Sequence, residues 1–302
     1  MSVANKNKRL IVISGATAIG KTALSIQLAQ HFNSEIISAD SRQFYKELKI
    51  GAAPPSEKEL AKVKHHFIQH LSVKNTYNVG LFEKDATALL QNLFKKIDTL
   101  IMVGGSGLYM DVVCNGLDTF PEVDKKIKKK IIVEYKKKGI TFLQDELKKT
   151  DSDYFDIVDI NNPQRLIRAL VVIRESRKPF SSFRNKTSAK RDFKISHFSL
   201  EMEREKLYER INRRVDMMME EGLLKEVENL IPYKNKNALQ TVGYKELFAF
   251  FDGEMNLEEA IEKIKQNTRR FAKRQISWFK RDESIQHLKM ENAFQKIIGS
   301  LT

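Results

Sequence analysis

Gly15-Ala16-Thr17-Ala18-Ile19-Gly20-Lys21-Thr22 satisfies the pattern G-x-x-x-x-G-K-S/T at every fixed position. Two glycines let such a loop turn tightly and aim its amides inward, and the following helix N-terminus adds partial positive charge. Lys21 then reaches a terminal phosphate, and the Thr22 hydroxyl is placed to hold Mg²⁺. The chemistry implied is the binding of a di- or triphosphate.

A P-loop that hydrolyses ATP usually has a metal-binding carboxylate at the end of a second strand. Here the most apolar strand candidate, Thr99 to Val103, runs instead into Gly104-Gly105-Ser106-Gly107, a second phosphate-friendly loop. The carboxylate candidate is Asp40, after the run Glu35 to Ser38. An Asp followed by Ser is also a common turn or helix-capping pair, and spacing leaves both roles open.

These residues need a scaffold. Leu10 to Ser14 reads as a strand leading into the loop, and the apolar positions after Thr22 suit a helix. The runs Glu35–Ser38 and Thr99–Val103, separated by helical spacing over Val79 to Lys96, imply a parallel α/β sheet with its site at the carboxyl ends of the strands. Beyond about Leu117 the character changes. Asp124 to Lys149 is dense in lysine at helical spacing, Asn162-Pro163 opens a helix over Gln164 to Glu175, and Ser181 to Arg191 is polar. Ile195 to Leu200 reads as a returning strand, with helices over Glu203 to Leu230 and Leu257 to Arg281. The expected organisation is a P-loop NTPase-like core at 1–117 and 195–302, interrupted by a mainly helical, basic insertion domain at 118–194.

Composition narrows the partners. Lys plus Arg number 53 against 39 Asp plus Glu, a formal charge of +14, while the hydrophobic share of 41% is that of an ordinary globular chain. A folded cationic surface of this kind attracts nucleic acid, an acidic membrane face or a phosphorylated substrate. One cysteine, Cys114, makes no intrachain disulfide and, with scattered histidines, no zinc cluster, which suits a reducing cytosolic setting. The apolar run near the start is too short for an export signal or a membrane span.

Taken together, GATAIGKT, SADSRQFYKELKIGAAPPS, HHFIQHL, FEKDA, VGGSGLY with NGLD, NPQRLIRAL, and ALQTVGYKEL leading to NTRRFAKRQISWFKRD resemble the blocks of the bacterial tRNA dimethylallyltransferases (tRNA isopentenyltransferases), in the same order and over nearly the whole chain. The sequence departs from that pattern in four places: Gly-Ala opens the loop in place of Gly-Pro, Ser106 replaces Thr, HHFIQ replaces HHLID, and DSDYFDIVDINNP has drifted. The resemblance implies transfer of a dimethylallyl group from dimethylallyl diphosphate to the exocyclic amine of the adenosine 3′ of the anticodon, by a cytoplasmic monomer using Mg²⁺. Gly15 to Thr22 would then hold the leaving diphosphate, with no ATP hydrolysis.

Such a reaction needs an anion cradle on one side of an allylic cation and a proton acceptor on the other. The resemblance assigns Asp40 as the base, Ser106 to the tRNA nucleotide, and Arg214 as a second diphosphate clamp, with Arg213 the adjacent alternative. Asp40, Ser41, Arg42 and Gln43 would read the flipped base, Gln43 at its edges. Gln164, Arg165, Leu166, Ile167 and Arg168, with Gly243, Tyr244 and Lys245, match the anticodon-loop contacts, Tyr244 as an aromatic platform. Thr268 to Arg281 places Arg270, Arg274 and Trp278 at four-residue steps, the arginines toward phosphate, with Trp278 and Phe279 packing in the core. The competing readings are a P-loop kinase of a small metabolite and a nucleotide-gated RNA-binding module.

Overall fold

The computed structural model describes residues 8–184 and 190–301. The segment before Lys8 and residues 185–189 of the polar stretch lie outside the described residues. Two compact units divide the chain: Met1–Asn115 with Lys190–Thr302, and Gly116–Ala189.

The first unit is built on Arg9–Gly15 (β1), whose unbroken apolar run is buried on both faces, as a central parallel strand requires. Lys21–His31 (α1) follows the loop. Then come Ile36–Ser38 (β2), the short Glu57–Leu60 (α2), His65–His66 (β3), Val79–Leu93 (α3), Thr99–Val103 (β4) and Gly107–Asn115 (α4).

The second unit holds Lys125–Lys138 (α5), Ile140–Thr150 (α6), Ser152–Phe155 (α7) and Pro163–Ser176 (α8). Its core gathers Ile131, Leu143, Leu147, Tyr154 and the inner face of α8. Every lysine of α5 is exposed, so the lysine runs are a solvated face. Arg174 bridges Glu134 and Glu146, tying α8 to both neighbouring helices.

The chain then returns to the first unit as Lys194–Glu201 (β5), followed by Arg204–Glu220 (α9), Leu223–Glu228 (α10), Tyr244–Phe251 (α11), Leu257–Phe279 (α12), Gln286–Lys289 (β6) and Ala293–Leu301 (α13). The described residues form a six-stranded sheet in the order β3-β2-β4-β1-β5-β6, parallel throughout. Along β1 the side chains alternate between two cores. Leu10 and Val12 join α3, α4, α11 and α12 on one face; Ile11 and Ile13 join α1, α9 and α13 on the other. The fold is therefore α/β and P-loop NTPase-like. No helix among the described residues is long and apolar enough to cross a membrane.

Three boundaries differ from the sequence expectation. The second unit spans 116–189 instead of 118–194, because Lys194 already pairs with β1 and Arg191 bonds Glu83 and the Val112 carbonyl of the first unit. The lysine-rich helix breaks at Gly139, and the long helix after β5 breaks at Gly222; both take positive φ.

Candidate active site

Strands β1, β2 and β4 lie side by side and all end on one edge of the sheet, Ile13 paired with Val103 and Ser38 paired with Val103. The loops that follow them must converge there. After β1 the phosphate loop closes on Gly20, at φ 110, a conformation open to glycine and strained for any side chain. Lys21 begins α1, and its Nζ folds back on the loop, donating to the carbonyls of Gly15 at 3.1 Å and Ala16 at 2.7 Å. Burial lowers its pKa to about 8; Asp40 opposes the shift and Arg214 adds to it. From α9, Arg210 Nε donates to the Ala18 carbonyl at 2.8 Å and braces the loop's outer side.

Asp40 follows β2. Its Oδ1 accepts the Arg42 amide at 3.0 Å, so the residue shapes the turn, and it also lines the site. The turn role of Asp40 is seen directly, and the same residue stands on the walls of both cavities. Ser106 follows β4. Its Oγ accepts the Ser41 amide at 3.1 Å and donates to Ser41 Oγ at 3.2 Å, joining the second glycine-rich loop to the Asp40 turn.

Two cavities meet between these loops. One, of about 330 Å³, is lined by Gly20, Lys21, Thr22, Asp40, Arg210 and Arg214. The other, of about 380 Å³, is walled by Val215, Met218, Val242, Ile264, Phe271 and Trp278. Thr17, Asp40, Arg214 and Gln275 line both, so a basic chamber adjoins an apolar one at the carboxylate. Of the two candidate arginines, Arg214 faces this junction; Arg213 is exposed and borders an outer groove instead. Burial, then the neighbouring Arg210, pulls the Arg214 guanidinium below its ordinary pKa. An anion between them would relieve that repulsion.

For Mg²⁺ the donor set is sparse. The described residues contain no cluster of three or more carboxylate, His or Cys ligands. The Thr22 hydroxyl and the Asp40 carboxylate line the same basic cavity, and hard oxygen donors suit an ion that completes its shell with phosphate oxygens and water.

Several residues expected at the substrate are tied into the protein, Arg42 and Gln43 while still lining the cavities and Tyr244 away from them. Gln43 spends both ends inside the chain: Oε1 accepts from Ser38 Oγ at 3.1 Å, and Nε2 donates to the Ala53 carbonyl at 2.9 Å. It supports the Asp40 turn and also lines the basic cavity. Arg42 donates to the carbonyls of Asn237 and Ala238 at 2.9 and 3.0 Å. Tyr244 is no platform: it is 0% exposed, with its hydroxyl donating to Glu226 at 2.6 Å. Its neighbour Gly243 lines the apolar cavity, and Lys245 is exposed.

In the second unit the helical period splits the candidate set. Gln164, Arg165 and Arg168 are exposed, Ile167 is half-buried, and Leu166 is wholly buried in that unit's core. Arg168 lies over the Phe120 ring at 5.1 Å. On α12, Arg274 lines the apolar cavity while Arg270 turns to Asn267 at 3.4 Å. Phe279 is core, but Trp278 forms part of the cavity wall, so the pair does not share one role.

Sequence reasoning missed three contributors. Gln275 bonds both the phosphate loop and the second glycine-rich loop. Glu226 accepts the amides of Lys49 (2.7 Å), Ile50 (2.8 Å) and Gly51 (3.0 Å), fixing a segment that borders the cavities. Phe271, 38% exposed, lines both chambers. A signal existed for two of them: Phe271 and Gln275 are four residues apart on one face of α12, with Trp278 three further on.

The site can be compared with known proteins. A family model described as IPP transferase matches residues 43–282. The tRNA dimethylallyltransferase of Christiangramia forsetii is 52% identical over 288 residues, 95% of each chain. Among solved structures, the tRNA isopentenylpyrophosphate transferase of Bacillus halodurans superposes with a TM-score of 0.73 at 33% identity, covering 98% of this chain and 96% of its own. A eukaryotic dimethylallyltransferase acting on tRNA gives a TM-score of 0.78 at 28% identity, over 93% of this chain and 74% of its own. The family model spans most of the chain and the Christiangramia forsetii relative is matched almost end to end, and the chain belongs to the IPP transferase family.

Proposed function

We propose that this protein transfers the dimethylallyl group of dimethylallyl diphosphate to the exocyclic amine of the adenosine immediately 3′ of the anticodon in tRNA, releasing diphosphate. The observation that carries this is the pair of chambers joined at Asp40, one basic at the phosphate loop and one apolar. A donor with a diphosphate head and a five-carbon apolar tail is divided in the same way. A nucleotide triphosphate would leave the apolar chamber without a purpose.

In the reaction the ester bond from the allylic carbon to the diphosphate oxygen breaks, and a bond from that carbon to the amine nitrogen forms. Negative charge grows on the diphosphate, where Lys21, the loop amides and Arg214 receive it; donors aimed at developing charge are each worth about 3 kcal/mol of barrier. Thr22 would hold Mg²⁺, which when bound neutralises diphosphate charge. The adenine amine is a weak nucleophile, and Asp40 accepts its proton as the new bond forms. Ser106, held against Ser41, meets the incoming nucleotide. The base must leave its stack to enter the apolar chamber.

The exposed Gln164, Arg165 and Arg168, together with Lys245, supply the tRNA contacts in this reading. The anticodon stem-loop is the part of tRNA that presents the adenosine. The enzyme acts as a monomer in the cytoplasm, where its substrates are.

The test is to incubate the protein with unmodified tRNA and either labelled dimethylallyl diphosphate or labelled ATP. Label passing from the prenyl donor into RNA, with none moving from ATP, is expected. Phosphoryl transfer from ATP to a small metabolite would support a kinase, and RNA binding with no label moved would support a binding module; either would overturn the proposal.

A further inference from the structure

Gln275 lies in α12 with 6% of its surface exposed, and both ends of its carboxamide are engaged. Oε1 accepts the N–H of Thr17 in the phosphate loop at 2.9 Å. Nε2 donates to the carbonyl of Gly105, in the loop after β4, also at 2.9 Å. The reverse orientation would set an NH₂ against an N–H and a carbonyl against a carbonyl, so the two bonds fix the way the amide faces.

The packing around this bridge is close. A Cβ added at Gly105 would come within 2.2 Å of Gln275 Nε2, and one at Gly107 within 2.2 Å of the Trp278 ring. The second loop can therefore lie on α12 only because it lacks side chains there. Through Ser106 the same loop is bonded to Ser41, next to Asp40. One buried amide thus connects the phosphate cradle to the turn that carries the carboxylate, and it lines both chambers where they meet. A neutral carboxamide neither takes up a proton nor carries charge at working pH, so its contribution is geometric.

We propose that Gln275 is a positioning residue of the transfer, its carboxamide setting the spacing between the donor loop at Thr17 and the acceptor loop at Gly105 and Ser106. The proposal rests on the prenyl-transfer activity proposed above. The substrates' own contacts with Lys21, Arg214 and the insertion remain when the bridge is cut, so the loss falls on kcat and not on KM.

The experiment uses the full-length chain carrying Gln275→Glu or Gln275→Met, with kcat and both KM values followed from mildly acidic to mildly alkaline pH. An ionised Glu still accepts from Thr17 but has no proton to donate to Gly105; a protonated Glu regains that donor. The expected result for Gln275→Glu at alkaline pH is a kcat about ten- to a hundredfold below the parent, with both KM values within about twofold. As pH falls, its kcat recovers toward the parent along a limb that the parent profile lacks. Gln275→Met stays low at every pH.

Gly105→Ala gives an independent arm, since its methyl group displaces the carboxamide from the other side. It lowers kcat, and adding Gln275→Ala to it costs little more, since the bridge is already displaced. Parental kcat in both Gln275 variants, a Gln275→Glu profile parallel to the parent's, or strictly additive losses in the double variant would overturn the assignment. A parent that transfers no prenyl group overturns the activity and this role together, whereas an active parent with indifferent variants overturns the role alone.

Discussion

Lys21 and Asp40 line one basic cavity from two different loops, and the carboxylate opposes the fall in the ammonium's pKa that burial imposes. In the proposed reaction the first would receive departing charge and the second a proton.

Lys21 gives the protein a pH signature. With its folded-state pKa lowered to about 8 from an ordinary 10.5, the ammonium is charged in both folded and unfolded chains below pH 8, and the full cost of burying it is present there. Between those two values the folded chain has released the proton and the unfolded chain still binds it, so this contribution makes stability rise with pH across that window. The gain is on the order of 3 kcal/mol. Lys21→Met should raise the melting temperature at neutral pH and remove the alkaline rise, while abolishing diphosphate binding. Denaturation curves across this pH range check it; a melting temperature that falls in the variant contradicts it.

Diphosphate binding carries the same signature with the opposite slope. The anion restores the Lys21 proton, so affinity should weaken as pH rises above about 8, and binding should take up protons in that region. Calorimetry in buffers of different ionisation enthalpy measures the uptake. Proton release, or none, would count against a Lys21 contact to phosphate.

The tRNA complex should be strongly salt-dependent. Neutralising one phosphate-binding arginine should lower the slope of log affinity against log salt by roughly 1. Arg165→Gln and Arg168→Gln are expected to flatten that slope. Leu166→Ala should instead destabilise the insertion by about 2–5 kcal/mol, because it opens a cavity in a closed core. Equal salt slopes in parent and arginine variants would remove those residues from the RNA interface.

Tyr244→Phe separates a support from a contact. Its hydroxyl bonds Glu226, which still holds three backbone amides when the hydroxyl is gone. The expected cost is about 1 kcal/mol of stability with tRNA affinity unchanged. A matched loss of tRNA affinity, read by filter binding, would restore the platform role that burial denies it.

Much of this site was legible from the chain because its chemistry sits on short sequence-local loops. The phosphate loop depends on residues 15–22 alone, and apolar runs before Gly15 and Gly104 told where parallel strands must end. Periodicity also marked α8, but the resemblance carried over a contiguous run, and only the helical period shows that Leu166 faces inward while Arg165 and Arg168 face out. What stayed hidden was long-range. Gln275 is 258 residues from Thr17 and 170 from Gly105, and nothing local distinguishes a glutamine that bridges two loops from one that faces solvent. Glu226 is hidden for the same reason, its amide partners lying 175 to 177 residues away. Tyr244 shows the converse error: an aromatic beside a glycine and a lysine suits RNA stacking equally well in sequence, and only packing reveals that it is core.

In the proposed reaction the phosphate loop holds the departing diphosphate while Asp40 takes the amine proton. Single-turnover transfer from labelled dimethylallyl diphosphate to unmodified tRNA, compared between the parent and Asp40→Ala at matched tRNA occupancy, tests it most directly. With Asp40→Ala, tRNA binding should persist and the transfer rate should fall by about 10²–10⁴-fold, the range for losing a general base. Transfer at the parental rate by Asp40→Ala would contradict it.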